Sequence, residues 1–186
     1  MNSLSDKCVL ITGAAGGIGS VLAGRLLRKE GSRLILVDKD FKGLRELKVE
    51  LEQSATKESV RIFEADLADK ASIERLFEQI EGEEIDVLVN NAGIAYGGTF
   101  AGMDLEDFEK VIEVNLYAAV RLTHLLLPGL IRRRGHIVNV GSAAGLLGPA
   151  GMNAYATSKF GLAGFSESLR AELKGMVGVS IVCPCF

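Results

Sequence analysis

Tyr155 and Lys159 stand one helical turn apart and form the pair in this sequence best suited to moving protons. Positions i and i+4 of a helix share a face, so the ammonium can stand beside the phenol. A free phenol titrates near 10 and is a poor base at neutral pH, but a cation within about 4–6 Å lowers that by roughly 1–3 units. The same spacing also suits an exposed helix face with no chemistry. Ser142 ends an apolar run and offers a hydroxyl that can hold a substrate oxygen beside the phenol. Asn115 falls in the apolar series Phe108, Val111, Ile112, Ala119, Leu122, Leu126, where a hydrophobe is expected. A polar group facing a core costs roughly 1–3 kcal/mol unless hydrogen-bonded, so it needs a partner. A helix bend or an ordered water would each provide one. Hydrolysis through Ser142 is disfavoured. Neither His124 nor His136 accompanies a carboxylate at catalytic spacing, and Gly141-Ser142-Ala143-Ala144-Gly145 is not a nucleophile elbow.

A second group of residues suits a phosphate. Thr12-Gly13-Ala14-Ala15-Gly16-Gly17-Ile18-Gly19 follows one apolar run and opens an amphipathic stretch. A helix N-terminus there presents free amides and the positive end of its dipole to a pyrophosphate. Asp38 ends the second apolar run, where a carboxylate can accept both hydroxyls of an adenosine ribose and repel a 2′-phosphate. Lys39 is adjacent, but no Arg or Lys lies among Ala14–Gly16, so the expected cofactor is NAD, with NADP second. A turn or cap before Phe41 is the other use for Asp38. Asp66 can accept from an adenine amino group or cap the next helix. In Asn90-Asn91-Ala92-Gly93, side-chain amides can satisfy backbone groups across a crevice floor, or the segment is a turn.

Six short runs would carry these residues: Lys7–Thr12, Arg33–Asp38, Val60–Ala65, Ile85–Asn90, His136–Gly141 and Val179–Cys183. Each is apolar almost continuously, as strands buried on both faces of a parallel sheet are. Amphipathic stretches alternate with them, at about Gly17–Glu30, Phe41–Ser54, Lys70–Glu81, Asp104–Arg134 and Asn153–Lys174. This alternation predicts an α/β fold, a doubly wound, mostly parallel Rossmann-type sheet of about six strands with helices on both faces. No linker or low-complexity tract divides the chain, so one domain over residues 1–186 is expected. Of the 22 glycines, Gly13/Gly16/Gly17/Gly19, Gly93/Gly97/Gly98 and Gly141/Gly145/Gly148 cluster after the first, fourth and fifth runs, at the carboxyl ends of parallel strands, where such sheets bind ligands.

A formal net charge of −3 gives no field for nucleic acid. The polar N-terminus does not read as a secretory signal, and Leu116–Ile131 is interrupted by Arg121, His124 and Pro128, so no membrane span is expected. Three cysteines without a signal argue for a reducing compartment, hence the cytoplasm. Cys8 reads as core. Cys183 and Cys185 lack further ligands, so no metal site is expected. Arg132-Arg133-Arg134 close a long helix, whose negative end they complement.

Taken together, the set Thr-Gly-x3-Gly-x-Gly, Asn-Asn-Ala-Gly, Asn115, Ser142 and Tyr-x3-Lys resembles the short-chain dehydrogenase/reductase family, from about residue 7 to residue 184. The resemblance implies an oxidoreductase that transfers hydride between nicotinamide and the carbinol or carbonyl carbon of a small alcohol or ketone. It implies Tyr155 as general acid/base, Ser142 as the group orienting the substrate oxygen, Lys159 on the nicotinamide ribose and Asn115 holding a relay water. Gly13, Gly17, Ile18 and Gly19 would cradle the dinucleotide, Asp38 would select NAD, and Asp66, Leu67, Asn91 and Gly93 would line the adenosine side. Family members associate through their two long helices, so a homodimer or homotetramer is implied. They also read Pro-Gly after the sixth strand and continue into a substrate-covering segment. This chain reads Cys183-Pro184-Cys185-Phe186. The expectation is therefore a form lacking the usual C-terminal substrate segment, with a catalytically weak or silent nucleotide-binding fragment as the alternative to an active enzyme.

Overall fold

The computed structural model describes residues 4–53 and 59–184. The helix end expected at Ser54 and the Cys185–Phe186 tail lie outside those residues. Strands β1 (Cys8–Thr12), β2 (Arg33–Asp38), β3 (Val60–Glu64), β4 (Val87–Asn90), β5 (His136–Val140) and β6 (Gly178–Val182) form one sheet in the order β3-β2-β1-β4-β5-β6. Every pairing is parallel. The chain winds outward from β1 to β3 and then returns to β4 on the other side of β1. That reversal opens a crevice at the carboxyl ends of β1 and β4.

Helices α1 (Gly17–Arg25), α2 (Phe41–Glu52), α3 (Lys70–Gln79), α4 (Leu105–Ile112), α5 (Ala118–Arg133) and α6 (Asn153–Glu172) supply the outer layers. Alternate residues of a strand point to opposite faces, and β1 divides accordingly. Cys8 and Leu10 join Leu88, Ile137 and the inner residues of α3, α5 and α6. Val9 and Ile11 join Leu34, Leu36 and the inner residues of α1 and α2. Leu10, Ile11, Leu36 and Leu88 are fully buried, and each such side chain contributes about 1.5–3 kcal/mol on leaving water. The α1–α2 layer only partly covers Val138 and Val140. For that reason β5 alternates between buried and half-buried residues, against the expectation of burial on both faces.

The helices also depart from the expected pattern in their breaks and caps. The long helix expected over Asp104–Arg134 is α4, then a π-helical turn Glu113–Tyr117, then α5. The first helix likewise passes into a π turn, Leu26–Glu30. The N-cap of α2 is Asp40, whose carboxylate accepts from the Gly43 amide, and that of α3 is Asp69, accepting from Ala71 and Ser72. Neither Asp38 nor Asp66 therefore caps a helix. Among the described residues, one helical run, Leu105–Arg133, is long and apolar enough by length and composition to cross a membrane. Its inner residues Ala118, Leu122, Leu126 and Leu130 are built into the core of the sheet.

At the opposite edge, the buried Asp86 accepts from the Cys8 amide, from Lys7 Nζ and from Arg133 Nε. Burial alone would raise its pKa, but those hydrogen bonds and the Arg133 charge bring it below the ordinary carboxylate value. Arg133 also pairs with Glu84, so this arginine ties the end of α5 to the start of β4.

Candidate active site

The carboxyl ends of β1 and β4 are joined by hydrogen bonds from a small set of side chains. Thr12 Oγ1 accepts from the amides of Asn91 and Ala92. The Asn91 side chain returns two bonds, donating from Nδ2 to the carbonyls of Thr12 and Gly13 at 2.9 and 3.0 Å. Gly13 adopts φ +64°, and a Cβ there would stand 2.7 Å from Ala92 Cα, so only glycine fits the left-handed turn at this crossing. The chain then enters α1, whose N-cap position is Gly16, so there is no side-chain cap and the first amides are left without a side-chain acceptor.

A cleft of about 410 Å³ lies over this junction. Gly13, Gly17, Ile18, Asp38, Asp66, Leu67, Asn91 and Gly93 all line it; Gly19 sits buried just beneath, inside the first turn of α1. Asp38 Oδ2 accepts from the Ala15 amide at 3.0 Å and Oδ1 from the Asp40 amide at 3.1 Å. The carboxylate is thus fixed against the glycine turn, and each oxygen retains a lone pair for a ligand. Asp66 forms a turn of its own, with Oδ1 accepting from the Ala68 amide. Lys39, Lys110 and Val114 line the same cleft. The last two come from α4 and the π turn, and their polar-apolar spacing alone carries no sign that they face a ligand.

A second cavity, of about 180 Å³, continues from the first and shares Ile18, Asn91, Gly93 and Ile94 with it. Its wall includes Ser142, Tyr155, Lys159 and Pro184. Ser142 follows β5 and caps the 3₁₀ turn Ala143–Gly145, its Oγ accepting from the Ala144 amide. That turn is pressed onto α6: a Cβ on Gly145 would lie 2.8 Å from the Lys159 carbonyl oxygen. Tyr155 and Lys159 project from the first turns of α6 into the cavity, with Lys159 Nζ 5.7 Å from the centre of the Tyr155 ring.

Lys159 is only 4% exposed. Its ammonium donates to the Val140 carbonyl at 2.7 Å, and burial pushes its pKa down to about 8, with the Cys183 sulfur acting weakly the other way. Asn115 and Lys159 both face Gly93: Asn115 Oδ1 and Lys159 Nζ lie 3.4 and 3.5 Å from where a Cβ on that glycine would stand. The partner that Asn115 needs is the backbone of Ile94, bonded through both its amide and its carbonyl, together with Ser158. The π turn around Asn115 brings this side chain inward. Ile94, Ser158 and Thr12 are the members of the site that sequence patterning left unassigned as such. Of these, Thr12 headed the glycine motif and Ser158 was visible as a polar residue between Tyr155 and Lys159, while Ile94 carried no signal.

The chain and its fold have counterparts among known proteins. A family model described as short chain dehydrogenase matches residues 7–186. The ketoacyl reductase HetN of Nostoc sp. is 38% identical over 188 residues, covering 99% of this chain and 64% of HetN, so the chain spans less than two thirds of that relative's length. A short chain dehydrogenase/reductase from Burkholderia phymatum, solved in complex with NAD, superposes with a TM-score of 0.92 at 30% identity, covering 100% of this chain and 68% of the other. A short-chain dehydrogenase from Sphingobium yanoikuyae in complex with NADPH gives 0.89 at 33% identity, covering 96% of this chain and 70% of the other. With residues 7–186 matched by the family model and the whole fold superposing, the chain belongs to the short chain dehydrogenase family.

Proposed function

We propose that this chain forms the cofactor-binding and reacting half of an NAD-dependent oxidoreductase acting on the carbinol or carbonyl carbon of a small alcohol or ketone. One observation carries the reading: Ser142, Tyr155 and Lys159 converge on a cavity continuous with the glycine-lined cleft. The residues fit a dinucleotide. The uncapped start of α1 and the turn at Gly13 suit a pyrophosphate, and the fixed carboxylate of Asp38 suits a ribose diol rather than a 2′-phosphate. Ser142, Tyr155 and Lys159 line the second cavity, where a nicotinamide, when bound, would supply the hydride acceptor or donor. Tyr155 exchanges the hydroxyl proton of the substrate, and Ser142 holds the substrate oxygen by a hydrogen bond. Lys159 stands beside the Tyr155 ring, and its Nζ would offer N–H donors to a cofactor hydroxyl. Asn115 holds the cleft floor through Ile94.

Exposed Tyr117 and Phe160, from the π turn and α6, support association into a dimer or tetramer. Titration with NADH and NADPH, followed by fluorescence, tests the central reading. NADH is expected to bind more tightly, and Tyr155→Phe is expected to keep that affinity while losing turnover of secondary alcohols. Absence of NADH binding sinks the proposal.

A further inference from the structure

Ser158, between Tyr155 and Lys159 on α6, is fully buried. Its hydroxyl donates to the Tyr155 carbonyl at 2.7 Å. A hydroxyl has one proton, so with that proton committed Ser158 can only accept from a further partner. That partner is Asn115, whose Nδ2 donates to Ser158 Oγ at 3.0 Å. The other Nδ2 proton goes to the Ile94 carbonyl, while Asn115 Oδ1 accepts from the Ile94 amide. All three bonds demand the same orientation of the Asn115 amide. Reversing it would set N–H against N–H at Ile94 and oxygen against carbonyl. Ser158 is thus the point where α6 meets the Asn115 clamp, and Ile94 follows the glycine that floors both cavities.

We infer that Ser158 is a positioning residue, whose hydroxyl fixes the height of the helix bearing Tyr155 and Lys159 against the Ile94 floor of the cofactor cleft. The inference rests on the oxidoreductase reading for its consequence, and on the hydrogen bonds alone for its geometry. Without the hydroxyl, a buried Asn115 N–H loses its acceptor, which is costly where water cannot replace it. The relief available is a small shift of α6 away from the clamp. Such a shift admits water to Lys159, whose unusual titration depends on burial.

Ser158→Ala, Ser158→Thr and the wild-type chain, each labelled with ¹³C at lysine Cε, decide the matter through two readings: the Lys159 titration by NMR without cofactor, and the NADH affinity by fluorescence. In the wild type the titration midpoint is expected at about 8. Ser158→Ala should move it up toward the ordinary 10.5 and weaken NADH binding by about tenfold. Ser158→Thr, which keeps the hydroxyl, should hold both readings near wild type. If the alanine variant does not fold, Ser158→Cys is read in its place. Unchanged titration and affinity in Ser158→Ala, or a threonine variant as impaired as the alanine one, would overturn the inference. A wild-type chain that does not bind NADH overturns the oxidoreductase reading instead, and the lysine titration still decides on Ser158.

Discussion

Lys159 should make the folded chain less stable at neutral pH than a neutral side chain would, and Lys159→Met measures by how much. Its pKa falls from 10.5 to about 8 because the ammonium is buried. At about 1.4 kcal/mol per pH unit, that gap corresponds to about 3 kcal/mol of destabilisation while the lysine is protonated in both folded and unfolded states. Below about pH 8 the full penalty acts. Between about 8 and 10.5 the folded chain has released its proton and the unfolded chain still holds one, so wild-type stability climbs with pH. Methionine fills much the same volume with a flexible apolar chain. It forfeits the hydrogen bond to the Val140 carbonyl, worth about 1 kcal/mol. Lys159→Met should therefore be more stable than wild type by about 2 kcal/mol at pH 7, or about 4–8 °C in Tm for a domain of this size. By pH 10 the advantage should nearly vanish. Guanidinium unfolding of both proteins at the two pH values is the assay. A variant less stable than wild type at pH 7, or an advantage that persists unchanged to pH 10, refutes the account of Lys159 as a charge buried for function.

Other perturbations probe the supports of the site. Asp86 titrates below the ordinary carboxylate value, so its stabilisation is present above about pH 4 and lost as pH falls through its folded pKa; urea unfolding from about pH 4 downward should show Asp86→Asn converging on the wild type. At neutral pH, Asp86→Ala should cost about 3 kcal/mol, since the Cys8 amide, Lys7 and Arg133 lose a shared partner in a buried place. Gly145→Ala would set a methyl against the backbone of Lys159 at 2.8 Å. It should lower stability by about 1–3 kcal/mol in the same assay, with weakened NADH binding as Ser142 and α6 are pushed apart. Asp38→Asn removes the charge that opposes a 2′-phosphate and should narrow any preference for NADH over NADPH by about tenfold, equal to about 1.4 kcal/mol, in fluorescence titrations.

The parts of the site legible in the sequence are those whose chemistry is local. Thr12 to Gly19 reads as a strand, a tight turn and a helix start, and Tyr155 and Lys159 share a face because both lie in one helix. The parts that were not legible depend on what lies across the fold. Helical periodicity describes Asp104–Arg134 as continuous, whereas the π turn at Glu113–Tyr117 exists where Asn115 must reach Ile94 and Ser158 together. Asp38 and Asp40 are equally good caps by residue type. The choice falls on Asp40 while the Asp38 carboxylate is held by the Ala15 amide, a contact across 23 residues of chain. Ser158 is legible only as a polar residue beside a lysine, because its two hydrogen bonds run to another helix and to the backbone of its own. A binding edge of this kind is specified twice: local motifs choose which groups face the cleft, and a buried polar clamp with a single permitted direction of donation sets how far apart they stand. The second specification leaves little trace in periodicity, since each of its members is a small polar residue that a helix or loop would accept anywhere. Substitutions that preserve every reacting group can for that reason still disable the site, and Ser158 and Gly145 are where that should be seen first.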